Sequence, residues 1–169
     1  ESTEMSASRH YLGTVYLELG RLDEAETQLR SAHAMFTPQY GRTDYDTLAA
    51  LGSLALASAR RERYAAAVDL LAEGRSALQG KTERKHLAMA AALTGRQLQT
   101  AMLAGDLEAA EAALSLLSDP DVSDPTVPNR HVLPLARIDL SMHRGALGQA
   151  RALLDSYRGT MTVDAPSSG

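Results

Sequence analysis

Apolar residues recur along the chain at helical spacing, three or four positions apart, in stretches broken by Gly, Pro or Asp. The first stretch, residues 6–19, carries Leu12, Val15, Tyr16 and Leu19, and Gly20 ends it as a C-cap glycine would. The second starts near Leu22, with Asp23 and Glu24 set favourably against the helix dipole. Its stripe is Ala25, Leu29, Ala32 and Phe36, and Pro38 and Gly41 then break the chain. Thr43 is the expected N-cap of the third, with Asp46 three residues on as a weak capping-box partner. Leu48, Leu51, Leu54, Ala55 and Ser58 form its stripe. Past the turn at Arg61 to Arg63 come Tyr64, Ala67, Leu70, Leu71 and Leu78, closed by Gly80.

The second half repeats the pattern. A stretch from Thr82 carries Leu87, Ala90, Ala91, Thr94, Leu98 and Met102 and stops at Gly105. Asp106 is the expected cap of the next, which carries Leu107, Ala110, Leu114 and Leu117. Residues 118–129, SDPDVSDPTVPN, read as a loop from their three prolines and three aspartates. Pro134 then lies in the first turn of a helix or kinks it. Ile138, Met142, Gly145, Leu147, Ala150, Leu153, Leu154 and Tyr157 complete the series.

Within these stretches an alanine recurs in a constant setting. Ala25, Ala67, Ala110 and Ala150 stand 42, 43 and 40 residues apart, each following a turn and preceding a leucine. A period of about 40 residues marks a stacked helical-repeat array, in which one hairpin cannot bury its own apolar face and needs its neighbours. The expected fold is all-α, with about four stacked helix-turn-helix units over residues 6–37, 43–80, 82–118 and 129–158. They form one repeat domain over 1–158, followed by a flexible tail, 159–169, without apolar period. The alanines, and Gly13, mark close helix crossings.

Composition agrees with an all-α chain and narrows its chemistry. One Phe, no Trp and few β-branched residues leave a core of small side chains. The absence of Cys removes disulfides, thiolate metal sites and a cysteine nucleophile. A net charge of −4 argues against a nucleic-acid module, and no run of 18 apolar residues marks a membrane span. His10, His33, His86, His131 and His143 show no i, i+4 pair and no HExxH. Asp119, Asp121 and Asp124 lack the glycine and terminal glutamate of a calcium loop. GxSxG and phosphate-binding glycine loops are absent, so no catalytic residue, cofactor or metal site is expected. The chain opens on Glu1 without a signal-peptide pattern and reads as a piece of a longer protein or a processed one.

The segment LGTVYLELGRLDEAETQLRSA resembles a tetratricopeptide repeat, with Leu12, Gly13, Tyr16, Gly20, Ala25, Leu29 and Ala32 at the family's signature positions. Arg9 stands where the signature begins with Trp. The link YGRTDYDTL and the following segment look like the kinesin-light-chain kind of repeat, with its period near 42. That kind also occurs in bacterial signalling proteins. The resemblance covers roughly residues 6–158, most fully in the first two units. It implies a right-handed superhelix whose first helices line a concave groove that holds a peptide or helix of a partner. The family's inward-facing positions fall here on His10, Thr14, Leu17 and Glu18, then Gly52, Ser53, Leu56 and Arg60. Arg96, Gln99 and Met102 follow in the third unit, and Asp139 and His143 in the fourth. Chaperone-tail-binding members clamp a C-terminal carboxylate with lysine and asparagine; His10 and Thr14 occupy those places, which does not suit that activity.

Charge is unevenly spread. Arg60 to Arg96 holds eight basic and four acidic residues, and Gln97 to Asn129 six acidic and none basic. Arg60, Arg61, Arg84 and Lys85 form a candidate basic patch for an acidic partner; Arg60, Arg61 and Arg63 also suit a helix C-terminus. The expectation is a non-catalytic, cytoplasmic protein-interaction module, part of a larger bacterial signalling or regulatory protein. It would bind a protein or peptide and neither nucleic acid nor membrane. The alternatives are a regulatory segment of an enzyme such as a Ser/Thr kinase, with catalysis encoded outside this chain, and a homo-oligomeric self-association module.

Overall fold

A computed structural model describes residues 3–117 and 132–162. The helices are α1 (Thr3–Glu18), α2 (Leu22–Tyr40), α3 (Tyr45–Arg60), α4 (Tyr64–Ala77), α5 (Arg84–Ala104), α6 (Leu107–Ser115), α7 (Val132–His143) and α8 (Leu147–Thr162). No strand occurs among the described residues. The chain divides into two compact units, one through Asp106 with α1–α5 and one from Leu107 with α6–α8. The fold is that of an all-α helical repeat. The expected loop at 118–129 lies outside the described residues, and α8 continues to Thr162, past the expected end at 158.

Helix boundaries follow local chemistry, with two corrections. Asp44, not Thr43, caps α3, its carboxylate accepting from the Asp46 N–H at 2.9 Å. Aspartate is the stronger N-cap, and the following N–H groups need an acceptor. Pro38 does not break α2, which runs to Tyr40. A proline one turn from a C-terminus removes a single i→i−4 bond, and here the backbone turns only at Gly41, whose N–H donates to the Thr37 carbonyl. Pro134 lies in the first turn of α7, where its missing N–H has no helical acceptor to lose.

All four repeating alanines are buried, Ala25, Ala67 and Ala110 at 0% exposure and Ala150 at 6%. In the first unit α3 is central, in contact with α1, α2, α4 and α5, and every residue from Ala50 to Ala59 is buried. Helices can crowd round it because its side chains include Ala50, Gly52, Ala55, Ala57 and Ala59. Two clusters result. Leu17, Ala25, Leu29, Leu54, Leu56 and Ala57 join α1, α2 and α3. Leu48, Leu51, Ala67, Leu71, Met89 and Leu93 join α3, α4 and α5.

The apolar stripe expected in α1 faces outward except at Tyr16, which packs half-buried against Leu17, Ala25 and Leu29. Leu12, Val15 and Leu19 are exposed, and the buried positions are Ser6, Gly13 and Leu17. Forty-two residues on, the equivalents of Leu12 and Val15 are Leu54 and Ala57, which are buried in a cluster with Ala25 and Leu29 of α2. α1 has no described helix ahead of it to play that part. The stripe of α5 is buried at Thr94 and Leu98 as expected, but Leu87 is exposed, and Met89 and Leu93 rather than Leu87 pack against α3 and α4. In the second unit Met142 and Leu147 are exposed while Ile138, Leu140 and Ala150 are buried.

Two further features recur with the repeat. Five residues before each alanine the backbone has positive φ, at Gly20 (72°), Glu62 (60°), Gly105 (70°) and Gly145 (71°). Three of the four are glycines, and Glu62 alone holds this left-handed turn with a side chain. An ion pair also repeats beside the alanines. Glu26, directly after Ala25, is 3% exposed and receives Arg61, Arg63 and Arg30, with Arg61 also on Asp23. Glu111, directly after Ala110, pairs with Arg144 at 2.5 Å. Arg61 and Arg144 each stand six residues before the next alanine, Ala67 and Ala150. Burial pushes the Glu26 carboxyl up, but Arg30 and Arg63 outweigh it and hold it below the usual glutamate value.

A Cβ on Gly13 would lie 2.7 Å from Leu29 Cγ and 3.2 Å from its backbone N, so Gly13→Ala should destabilise by about 1–3 kcal/mol despite its gain in helix propensity. Glu62→Gly should stabilise by about 0.5–1 kcal/mol by removing the strain at φ 60°. Urea unfolding measures both, and equal midpoints for the three proteins would refute the close-crossing account. Because the folded Glu26 value is depressed, its contribution is complete at neutral pH and is lost as pH falls through that value. Glu26→Gln should therefore cost about 1–3 kcal/mol at pH 7, and progressively less as the pH is lowered through the acid range, read from denaturation at each pH.

Candidate functional site

In the first unit α3 contacts both α1 and α5, and the three form a layer. His10, Thr14 and Glu18 come from α1, Leu56 and Arg60 from α3, and Arg96, Gln99 and Met102 from α5. Leu56 departs from expectation: it is 3% exposed and packs with Leu17, itself 2% exposed, in the core. The central position of α3 explains this, because neighbours on every side leave its middle turns no open face. Gly52 and Ser53 are buried for the same reason. Glu18, Arg60 and Gln99 are exposed, and His10, Thr14, Arg96 and Met102 are half-buried. The Thr14 hydroxyl donates to the His10 carbonyl at 3.0 Å, within its own helix.

The layer has an aromatic end and a charged end. At the first, His10 meets the Phe36 ring edge-on, with centroids 6.3 Å apart, and stacks on Tyr11 at 6.1 Å. Burial pushes the His10 imidazole below its ordinary value, and the nearby Asp46 carboxylate partly offsets this. At the second, Arg60 reaches across to α1 and donates from Nη1 to the Leu17 carbonyl at 2.8 Å. That carbonyl belongs to the last turn of α1, where acceptors lack helical donors and a cation suits the dipole. The stem of Arg96 passes Gly52, with its Cγ 3.7 Å from where a Cβ would stand. Arg96 Nη1 donates to Gln99 Oε1 at 3.1 Å. Burial first and the charge of Arg60 second lower the proton affinity of Arg96, and Glu18 opposes them. Among the described residues neither Arg60 nor Arg96 has a carboxylate within 4.0 Å.

The basic patch expected from Arg60, Arg61, Arg84 and Lys85 is not assembled. Arg61 turns to Glu26 and Asp23 of α2. Lys85 lines a small cleft with Thr43, Asp44 and Tyr45 at the N-terminal end of α3. Arg60 ends the same helix, roughly 22 Å away along its axis. Neighbours in sequence here diverge because successive helical residues point about 100° apart.

In the second unit Asp139 and His143 partner each other, with Nδ1 3.4 Å from Oδ1. A cleft of 510 Å³ there is lined by Ser115, Arg137, Ser141 and Gln149, with Glu111 and Arg144. Among the described residues no group of three or more His, Cys, Asp or Glu side chains could hold a metal ion, and the Asp119 to Asp124 run lies outside them. No described helix is long and apolar enough to cross a membrane.

Two similar helical hairpins in succession, with small residues at equivalent crossings, define the α1–α4 region. Residues 4–80 match the family model of the tetratricopeptide repeat. The matched stretch contains His10, Thr14, Glu18, Leu56 and Arg60, while Arg96, Gln99 and Met102 follow it on α5. Tetratricopeptide repeats generally mediate protein–protein interaction. A search of curated proteins found no match to the chain.

The sequence pattern placed Phe36 in the core stripe, and its contact with His10 went unforeseen; the close approach of α1 to α2 makes it. Asp46 is the one carboxylate that tunes His10. The imidazole should titrate below 6.5 by NMR, and Asp46→Asn should lower its value further by removing the favourable charge. An unchanged or raised value in that variant would contradict the assignment.

Proposed function

We propose that the chain is a non-catalytic protein-interaction module that holds an extended partner segment across α1 and α5, beside the exposed end of α3. The observation that carries this reading is the convergence of Glu18, Arg60, Arg96 and Gln99. They come from three separate stretches of sequence and meet at one end of the layer. Exposed and half-buried polar groups drawn from several helices suit a peptide, whose backbone needs hydrogen-bond partners. We read the α1–α2 and α3–α4 repeats as the kinesin-light-chain kind, on the link YGRTDYDTL, and the four hairpins as one repeat series within 1–158. The wider setting that fits is a larger bacterial regulatory protein in the cytoplasm, with any catalysis outside these residues.

The test is selection of binding peptides from a random display library on the full chain. A bulky Gln99→Trp substitution on the face should weaken the selected peptides at least about tenfold, equivalent to about 1.4 kcal/mol. Val68→Trp, on the exposed side of α4, should leave them unchanged. Selected peptides that bind both variants equally well would place the binding surface elsewhere.

A further inference from the structure

We propose that α1 pairs with α1 of a second copy of this chain, parallel and in register, through the exposed stripe Met5, Ser8, Leu12, Val15 and Leu19. This surface is distinct from the peptide face. At about 100° per residue the stripe lies roughly 150° round α1 from His10 and Thr14, so pairing leaves those two residues clear.

The stripe is spaced as a two-helix seam. Its positions step by three, four, three and four residues, the 3.5-residue period of a coiled-coil contact rather than the broader face of a helix in a globular core. All five residues are exposed, Leu12 at 41%, Val15 at 52% and Leu19 at 66%. Leu19 continues the helical ladder, its N–H donating to the Val15 carbonyl at 3.0 Å. Ser8 is the polar member, and its hydroxyl already donates to the Glu4 carbonyl at 2.7 Å, so covering it leaves no donor unmet. In α3 the equivalents of Leu12 and Val15 are Leu54 and Ala57, which a helix does cover. An isolated helix of about two heptads would be too short to hold its form. Here α1 is already fixed against α2 where Gly13 meets Leu29, so pairing carries no cost of helix formation.

Charge decides the occupant and its direction. Glu4 and Arg9 flank the seam on opposite sides, and among the described residues neither has an ion-pair partner within 4.0 Å. Arg9 donates from Nη1 to Gln28 Oε1 at 3.1 Å and keeps further donors. Five residues apart on one helix, Glu4 and Arg9 point about 140° apart and cannot meet each other. In a parallel, in-register pair each Glu4 faces Arg9 of the second copy, with one such pair on either side of the seam. The antiparallel pair that sets Met5 against Val15 would set Glu4 against Glu18 at both ends, like charge on like. The stripe thus complements itself in one direction, as an isologous interface does.

Sedimentation equilibrium of the full chain over about 1–300 µM should show a monomer–dimer equilibrium with a Kd of about 10–100 µM, in keeping with an interface at the small end of the specific range. Leu12→Glu and Leu19→Glu each set like charges together in the seam and should each raise the Kd at least about tenfold, with the helical circular dichroism unchanged. Leu19→Glu, just past the last turn of α1, keeps the test decisive if Leu12→Glu unfolds the chain. Leu87→Glu, on the exposed side of α5, should leave the Kd unchanged. Glu4→Arg should weaken pairing about two- to fivefold, and adding Arg9→Glu should restore it. The chain has no cysteine, so Ser8→Cys supplies a single thiol per copy, and mild oxidation should link the two copies through it. Leu87→Cys should not link. A monomer at every concentration would overturn the proposal and assign the stripe to a different helix, of another protein or a further hairpin. A dimer indifferent to both glutamate variants would overturn it equally. A dimer that both variants weaken, but that neither links through Ser8→Cys nor responds to Glu4→Arg, would overturn the parallel arrangement.

Discussion

Close approach of helices at small residues is the constraint on which the rest of the structure depends. Gly13 lies so near Leu29 that a single added carbon would overlap it, and Gly74 lies as near Leu93 and Leu51. The repeating alanines are buried as well, and Ala25 and Ala67 lie within the two clusters of the first unit. With one Phe and no Trp, the chain has no large side chains to fill wide gaps between helices. It gains dispersion and apolar burial by bringing backbones together. That crowding makes α3 buried on nearly all sides, removes Leu56 from any surface, and draws α1 and α5 up against α3.

The ion pairs act on this frame as connectors between successive helices. Glu26 with Arg61, and Glu111 with Arg144, occupy equivalent places relative to the repeating alanines. The α4–α5 junction differs: Val68 replaces the glutamate, and the Tyr64 hydroxyl donates to the Leu103 carbonyl at 3.0 Å. A carboxylate as buried as Glu26 is tolerated because several arginines surround it, and those arginines keep part of their surface in water. The connector also has a consequence for the candidate site. It draws Arg61 and Arg63 to the α2 side, so the positive charge beside Arg96 comes from Arg60 alone among the three.

The site therefore depends on tertiary placement more than on composition. Its aromatic end needs α1 against α2, and its charged end needs α1, α3 and α5 in one layer. Of the residues expected there, Glu18, Arg60, Arg96 and Gln99 converge, Thr14 is occupied within its own helix, and Leu56 is core. Arg84 and Lys85, close to Arg60 in a count of charges, belong to the opposite end of the layer.

By itself the sequence determined the helices, most of their breaks and the repeating alanines. These depend on neighbours three, four or five residues away, and the chemistry of capping, left-handed turns and helical periodicity is local. The left-handed turn is legible at Gly20, Gly105 and Gly145, and hidden at Glu62 because a glutamate carries no such signal. Only the tertiary structure decided which apolar stripe is covered. The α1 stripe and its equivalent in α3 have similar patterns, yet Leu12 is exposed and Leu54 buried. Periodicity records that a face is apolar; whether another helix lies on it is a property of the stack. The same holds for charge. Arg60, Arg61 and Arg63 look alike in sequence, and the helical rotation between them, with the carboxylates that each meets, gives them different roles.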